Sequence, residues 1–432
     1  MRGLFHVPTP ILSSVITMNF QEKLEIYAHL LIAHGLNVQL GQIVNITGEL
    51  IHRELIEKLV RIAYKRGAKY VNVDYIDLNL TRLRIQESQS DQYIRYVPPY
   101  IPIKYEGFVD ESAAVLRLVG SEDPDCLADL PPQKTNDLQS YYRQSLKKYY
   151  AEGVGKSKIQ WTVAAAATPK WGKKVYPELS EDKACEALWE AIFKICRADQ
   201  VNCLELWDRH RDILQARAKK LTELKIKDLH FIGPNTDLKV RLSPKAIFKG
   251  GGDKSIKGVD FEANIPTEEC FTTPDYRYTE GKVKITRPVL VNGKLVKGLQ
   301  LEFKNGEITH FQAEEGQEHF GAYIANDPGA KRLGEVALVG TDSPIYQSGR
   351  LFEEILFDEN AACHIAVGFA YRFCVDGGAQ MNEEELSAIG CNDSHVHTDF
   401  MISSEQVDVM ATSYVGEGKE ICLIKQGQWV SI

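Results

Sequence analysis

The stretch "HVHTDF" (395–400) alternates imidazoles and a carboxylate with small or apolar residues. An extended strand sends successive side chains to opposite faces, so His395, His397 and Asp399 are expected on one face. Neutral imidazole and carboxylate are the usual ligands of borderline divalent metals. Three further islands collect the same residue types. "NIPTEECFTTP" carries adjacent Glu268 and Glu269 in a proline-flanked loop. Neighbours in sequence point different ways, so one can bind a metal while the other holds a proton. "RLGEVALVG" places Glu335 just before an apolar strand, where a lone carboxylate needs a partner. "LFDENAACHIAVGFAY" reads as part of a helical block over roughly 358–374. On a helix His364 and Tyr371 share a face, and Glu359 lies near the helix start, where it can turn to the same site.

Taken singly, each island reads as well as a solvated strand face, an acidic loop or a core helix with satisfied polar groups. Taken together, they can surround two divalent cations. Two cations about 3.5–4 Å apart activate a water near neutral pH and polarise a carbonyl. A tyrosine beside them can donate to the developing oxyanion. That chemistry is hydrolysis of an amide or ester bond.

The elements that must position these residues change in texture near residue 223. Before it, helices alternate with short β-branched strands. "FQEKLEIYAHLLIAHG" and "ELIEKLVRIAYKRG" are amphipathic, with Gly35 and Gly67 expected as C-caps. "KYVNVDY", "VLRLVG" and "IQWTVAAAAT" read as strands, which predicts an α/β layer with a largely parallel sheet. "GLNVQLGQ" lacks the glycine-rich phosphate signatures, so no nucleotide site is expected. "SEDKACEALWEAIFKIC" and "LELWDRHRDILQARAKKL" close this half as helices. After residue 223 the pattern is hairpins, with turn signals at Asn292-Gly293 and Asn305-Gly306, and one inserted helix. The expected organisation is an extension over 1–17, with Met18 an alternative start, an α/β domain over 18–222, and a mainly antiparallel α+β domain over 223–432 carrying the metal site.

The chain has 432 residues, 44% hydrophobic and 25% charged, enough for two cores. A net charge of −8 without a basic block argues against nucleic acid as a partner. No apolar run is long enough to span a bilayer. Nine scattered cysteines without a CxxC pair fit a reducing, cytoplasmic setting.

The ordered set "NIPTEE", "GEVALV", "LFDENAACHIAVGFAY" and "HTDFMI" resembles the aminopeptidase T family of dinuclear metallopeptidases. The resemblance runs from about Phe20 to the C-terminus and includes "GLNVQLGQ" and "AYKRGAKYVNV". It implies Glu269 as a ligand of one metal, Glu335 as a bridging ligand, Glu359 and His364 as ligands of the second metal, and His397 with Asp399 as the final pair. It implies Tyr371 as the active-site tyrosine. The family's single His-x-Asp selects His397 over His395. Glu268 is a candidate general base by analogy with other dinuclear peptidases, and Glu335 is its rival. The implied protein is a cytoplasmic, homodimeric aminopeptidase acting on short peptides, with two divalent ions per chain. Zn²⁺, Co²⁺, Mn²⁺ and Mg²⁺ all suit such ligands. Two other readings compete. One is a different dinuclear amidohydrolase, although only 33 residues follow Asp399, too few to build the rest of a barrel on an HxH strand. The other is a catalytically silent binding module on the α/β half.

Overall fold

The computed structural model describes residues 18–291, 293–415 and 420–431. The expected extension over 1–17 and Asn292 of the first turn signal lie outside the described residues.

The first half builds a five-stranded sheet in the order Tyr70–Ile76, Ile43–Glu49, Ala114–Val119, Gln160–Ala165, Asn264–Ile265. Every neighbouring pair is parallel. The last strand comes from beyond residue 223, so the sheet draws on both halves of the chain. Helices Phe20–His29, Arg53–Lys65 and Glu181–Ile195 cover it and bury Leu24, Tyr27, Leu55, Leu59, Leu188 and Phe193 in one core. Parallel strands covered by helices are largely apolar; in "IQWTVAAA" the exceptions are Gln160 and Thr162, both buried and hydrogen-bonded.

One expected helix cap holds and one does not. Gly67 follows helix Arg53–Lys65 with a left-handed φ of 92°, the usual C′ geometry. Gly35 instead lies inside a π-helical continuation, Leu30–Gly35. A Cβ there would stand 3.0 Å from Ile265 Cδ1, so close packing against the sheet accounts for the glycine.

The second half is mainly antiparallel. An eight-stranded sheet includes Ile226–Gly233, Thr236–Arg241, Glu280–Lys284, Gln300–Lys304, Glu307–Gln312 and Asp408–Ser413. The turn between Gln300–Lys304 and Glu307–Gln312 is Asn305-Gly306, both at positive φ, as a type I′ hairpin requires. A separate four-stranded sheet runs Cys270–Thr272, Leu333–Leu338, His364–Gly368, His397–Met401, antiparallel throughout. One of its faces buries Val336, Leu338, Ile365, Val367, Phe400 and Ile402 against the eight-stranded sheet's core. The other face is free to carry polar chemistry.

The inserted helix expected over 358–374 is not there. Helix Ile355–Asp358 is four residues long, a 3₁₀ turn Glu359–Ala361 follows, and "HIAVG" is a strand. All five residues of that strand are buried, so it has no polar alternation to distinguish it from a buried helix. Glu335 also lies inside its strand rather than ahead of it.

Candidate metal centre

The four-stranded sheet sets the site by register. Glu335 pairs with Ala366, and Ala366 pairs with Asp399. His397 pairs with Gly368, and His364 lies two residues before Ala366. By the two-residue period, Glu335, His364, His397 and Asp399 all project from one face. Gly368 keeps the strands close there: its φ is 101°, and a Cβ would meet the Val396 carbonyl oxygen at 2.0 Å. Glu269 immediately precedes the edge strand Cys270–Thr272 and reaches the same place.

The distances are those of a convergent donor set. His364 Nε2 lies 3.1 Å from Glu269 Oε2, 3.8 Å from Glu335 Oε1 and 3.9 Å from Asp399 Oδ1. His397 Nε2 lies 3.5 Å from Glu335 Oε2 and 3.6 Å from Asp399 Oδ1. Glu335 therefore turns one oxygen to each imidazole. Two groups of mutually close donors result, Glu269–Glu335–His364 and Glu335–His397–Asp399.

Each imidazole is oriented by a main-chain carbonyl. His397 Nδ1 is 2.8 Å from the Phe369 oxygen, and His364 Nδ1 is 3.3 Å from the Ala362 oxygen. A carbonyl only accepts, so Nδ1 carries a proton and Nε2 is the atom presented to the carboxylates, protonated until a metal displaces its proton. This is the usual outer support of a metal-binding histidine.

Burial and like charge act together here. Glu335 is pushed up to about 7, first by burial and then by Asp399 and Glu269. Glu359 is raised well above the carboxylate range by burial, with Asp399 and Glu269 adding to it. Burial would lower both imidazoles. The carboxylates outweigh it, raising His397 to about 9 through Asp399 and Glu335, and His364 well above its ordinary value through Glu269 and Glu335. Burial would raise Asp399, but His397 and His364 bring it down. Glu269 Oε2 is buried without a hydrogen-bond partner, although His364 Nε2 is near. Within each of the two groups the donor atoms lie within 4.8 Å of one another.

Tyr371 is not on a helix with His364; it caps a 3₁₀ turn, Arg372–Cys374. Its ring lies 5.0 Å from that of His397, centroid to centroid, and stacks on Phe373. Burial, then the charges of Glu335 and Asp399, raise its phenol well above 10, so it is a hydrogen-bond donor at neutral pH.

Glu359 is in neither donor group; it feels the cluster's charge and accepts from Asn360 Nδ2 at 3.3 Å. Two predicted residues lie further away. His395 is exposed and precedes the strand; its main-chain N–H donates to Asp327. Glu268 turns opposite to Glu269. Its carboxylate meets Arg197 at 3.1 Å and His210 Nε2 at 3.4 Å. Sequence reasoning missed Arg197, His210 and Asn360. The first two sit on or beside amphipathic helices where charged residues are ordinary, and no spacing marks them.

A buried donor set of this chemistry is what a metalloenzyme uses. The comparisons with known proteins define it further. Residues 20–429 match the family model described as thermophilic metalloprotease (M29). The chain is 38% identical to aminopeptidase PepS of Streptococcus thermophilus, over 96% of this chain and 100% of that protein. It is 35% identical to aminopeptidase AmpS of Bacillus subtilis, over 95% and 99%. Its fold matches wild-type AmpT from Thermus thermophilus with a TM-score of 0.88 at 35% identity, over 96% of this chain and 100% of that one. The chain belongs to the M29 metalloprotease family, the family of aminopeptidase T.

Proposed function

We propose that Glu269, Glu335, Glu359, His364, His397 and Asp399 hold two divalent ions, and that this metal-dependent aminopeptidase uses them to release N-terminal residues from short peptides. The observation that carries the reading is the convergence of the Nε2 atoms of His364 and His397 on shared carboxylates, with Glu269 Oε2 left orphaned beside them. Charge supports the count of two. Glu269, Glu335, Glu359 and Asp399 carry four negative charges when ionised, and buried charge of one sign is costly without compensation. Two divalent cations match it. Zn²⁺, Co²⁺, Mn²⁺ and Mg²⁺ all fit oxygen-rich sites with imidazole. Ions held there supply Lewis acidity, which lowers the pKa of water and polarises a carbonyl.

The chain's own residues do the rest. Tyr371 donates its phenolic proton as a hydrogen bond to the scissile carbonyl oxygen while negative charge builds there. A carboxylate of the cluster takes the water's proton and returns it to the leaving amine; Glu268 faces Arg197 and His210 instead. An aminopeptidase must also read the free α-amine of its substrate. The exposed side chains Leu80, Tyr93, Tyr96, Tyr100 and Ile103 supply apolar area for a homodimer interface. No described helix is long and apolar enough to cross a membrane. All nine cysteines are free, which supports a cytoplasmic setting.

The test compares leucyl p-nitroanilide with its N-acetylated form at equal metal loading, with and without chelator. The free amine should be cleaved and the acetylated substrate left intact, with activity lost on chelation and restored by metal. Comparable rates on the two substrates would indicate an endopeptidase or a general amidase.

A further inference from the structure

Asn360 is fully buried and uses every polar atom of its side chain. Its Oδ1 accepts the main-chain N–H of Glu268 at 2.7 Å, across 92 residues of sequence. Its Nδ2 donates to the Leu356 oxygen at 3.1 Å and to Glu359 Oε1 at 3.3 Å. Its own carbonyl accepts the Ser343 hydroxyl at 2.6 Å. The orientation of the amide is fixed by chemistry, because an N–H needs the oxygen and a carbonyl needs the NH₂. One side chain therefore bonds both segments that carry separate metal-site carboxylates: the Glu268–Glu269 tract and Glu359.

We propose that Asn360 is a positioning residue that holds Glu269 and Glu359 in mutual register for metal binding. The proposal rests on the reading of these residues as ligands. Among side chains of this size only an amide offers both an acceptor for Glu268 and donors for Glu359. Aspartate keeps the acceptor, loses the donors and places an anion beside Glu359. Leucine keeps the volume and leaves the Glu268 N–H buried and unpaired. Support of this kind, one bond removed from the metal, typically carries about 10–100-fold in metal affinity. The second bond of Nδ2, to Leu356, anchors the amide to helix Ile355–Asp358, which packs Leu356 and Phe357 into the core of the parallel sheet. That core therefore helps to set where the carboxylates stand.

The experiment titrates the metal-free full chain with cobalt(II), reading visible absorption and, by chelator competition, affinity. Wild type is compared with Asn360→Asp and Asn360→Leu, with circular dichroism and melting temperature recorded on each. We expect cobalt affinity to fall about 10–100-fold in both variants and the visible band to change. If the leucine variant does not fold, the aspartate variant decides. Wild-type affinity and spectrum in Asn360→Asp would overturn the proposal. A lowered melting temperature with unaltered affinity would overturn it too, since that is a structural role alone. Failure of wild type itself to bind cobalt would instead remove the metal-site reading and the proposal with it.

Discussion

Glu335 and Asp399 stand in one cross-strand row with Ala366 between them. The two carboxylates come from strands that do not touch, and the smallest chiral side chain separates them. A methyl group leaves the sheet face open where donors from the outer strands lean inward. Larger side chains at 366 would fill that space. Ala366→Leu should therefore cost about 1–3 kcal/mol by overpacking and remove bound metal with activity. Metal analysis of the folded variant checks it, and full metal content would show that the row does not frame the site.

Changing Glu268 to Gln keeps its main-chain bond to Asn360 and its volume but removes the basic oxygen. Turnover should stay within about tenfold of wild type, less than the roughly 100-fold loss of a general base, because the Glu268 carboxylate faces Arg197 and His210. Metal content should stay at the wild-type level. A fall of about 100-fold with metal retained would make Glu268 the base.

The two histidines of "HVHTDF" should separate cleanly. His397→Ala should lower turnover by at least about tenfold more than His395→Ala, about 1.4 kcal/mol in the barrier. Steady-state kinetics of both variants decides this. The reverse ranking would mean that the ligand pair is displaced by two residues.

Much of this site could be read from sequence, and the reason differs by residue. Strand alternation grouped His397 and Asp399 with His395, and only the family's His-x-Asp pattern singled out His397; His395 stands exposed ahead of the strand. Glu269, Glu335 and His364 were legible as residue types within ordered motifs. The conformation of His364 was not, because "HIAVG" is buried on both faces and carries no period. Arg197, His210 and Asn360 act through single long-range bonds to the Glu268 segment. No local pattern encodes such a bond. The parallel sheet was legible from its apolar strands. Its fifth strand, Asn264–Ile265, is two residues long and comes from the other half of the chain, beyond any sequence period.

Metal binding should release protons and strengthen as pH rises. In the metal-free protein Glu335 titrates at about 7 and His397 at about 9, both raised. A raised folded value means that the folded state binds more protons than the unfolded one over that interval, so metal-free stability falls as pH rises. For Glu335 the window runs from the ordinary carboxylate value up to about 7, and for His397 from about 6.5 up to about 9. The lowered Asp399 acts oppositely, at acid pH only. Metal must displace the protons on Glu335 and His397, so affinity should rise between about pH 6 and 9. Calorimetry in buffers of different ionisation heat measures the released protons. Affinity independent of pH, with no proton release, would contradict the coupling.

The central claim is that two ions sit against Glu335, bounded by Glu269, Glu359 and His364 on one side and by His397 and Asp399 on the other. A crystal structure of the metal-loaded protein, with anomalous scattering collected at the metal edge, tests it most directly. The account predicts two anomalous peaks, each within coordination distance of a Glu335 oxygen, one also contacting His364 Nε2 and the other His397 Nε2. A metal-loaded, active crystal with no peak between Glu335 and Asp399 would contradict it.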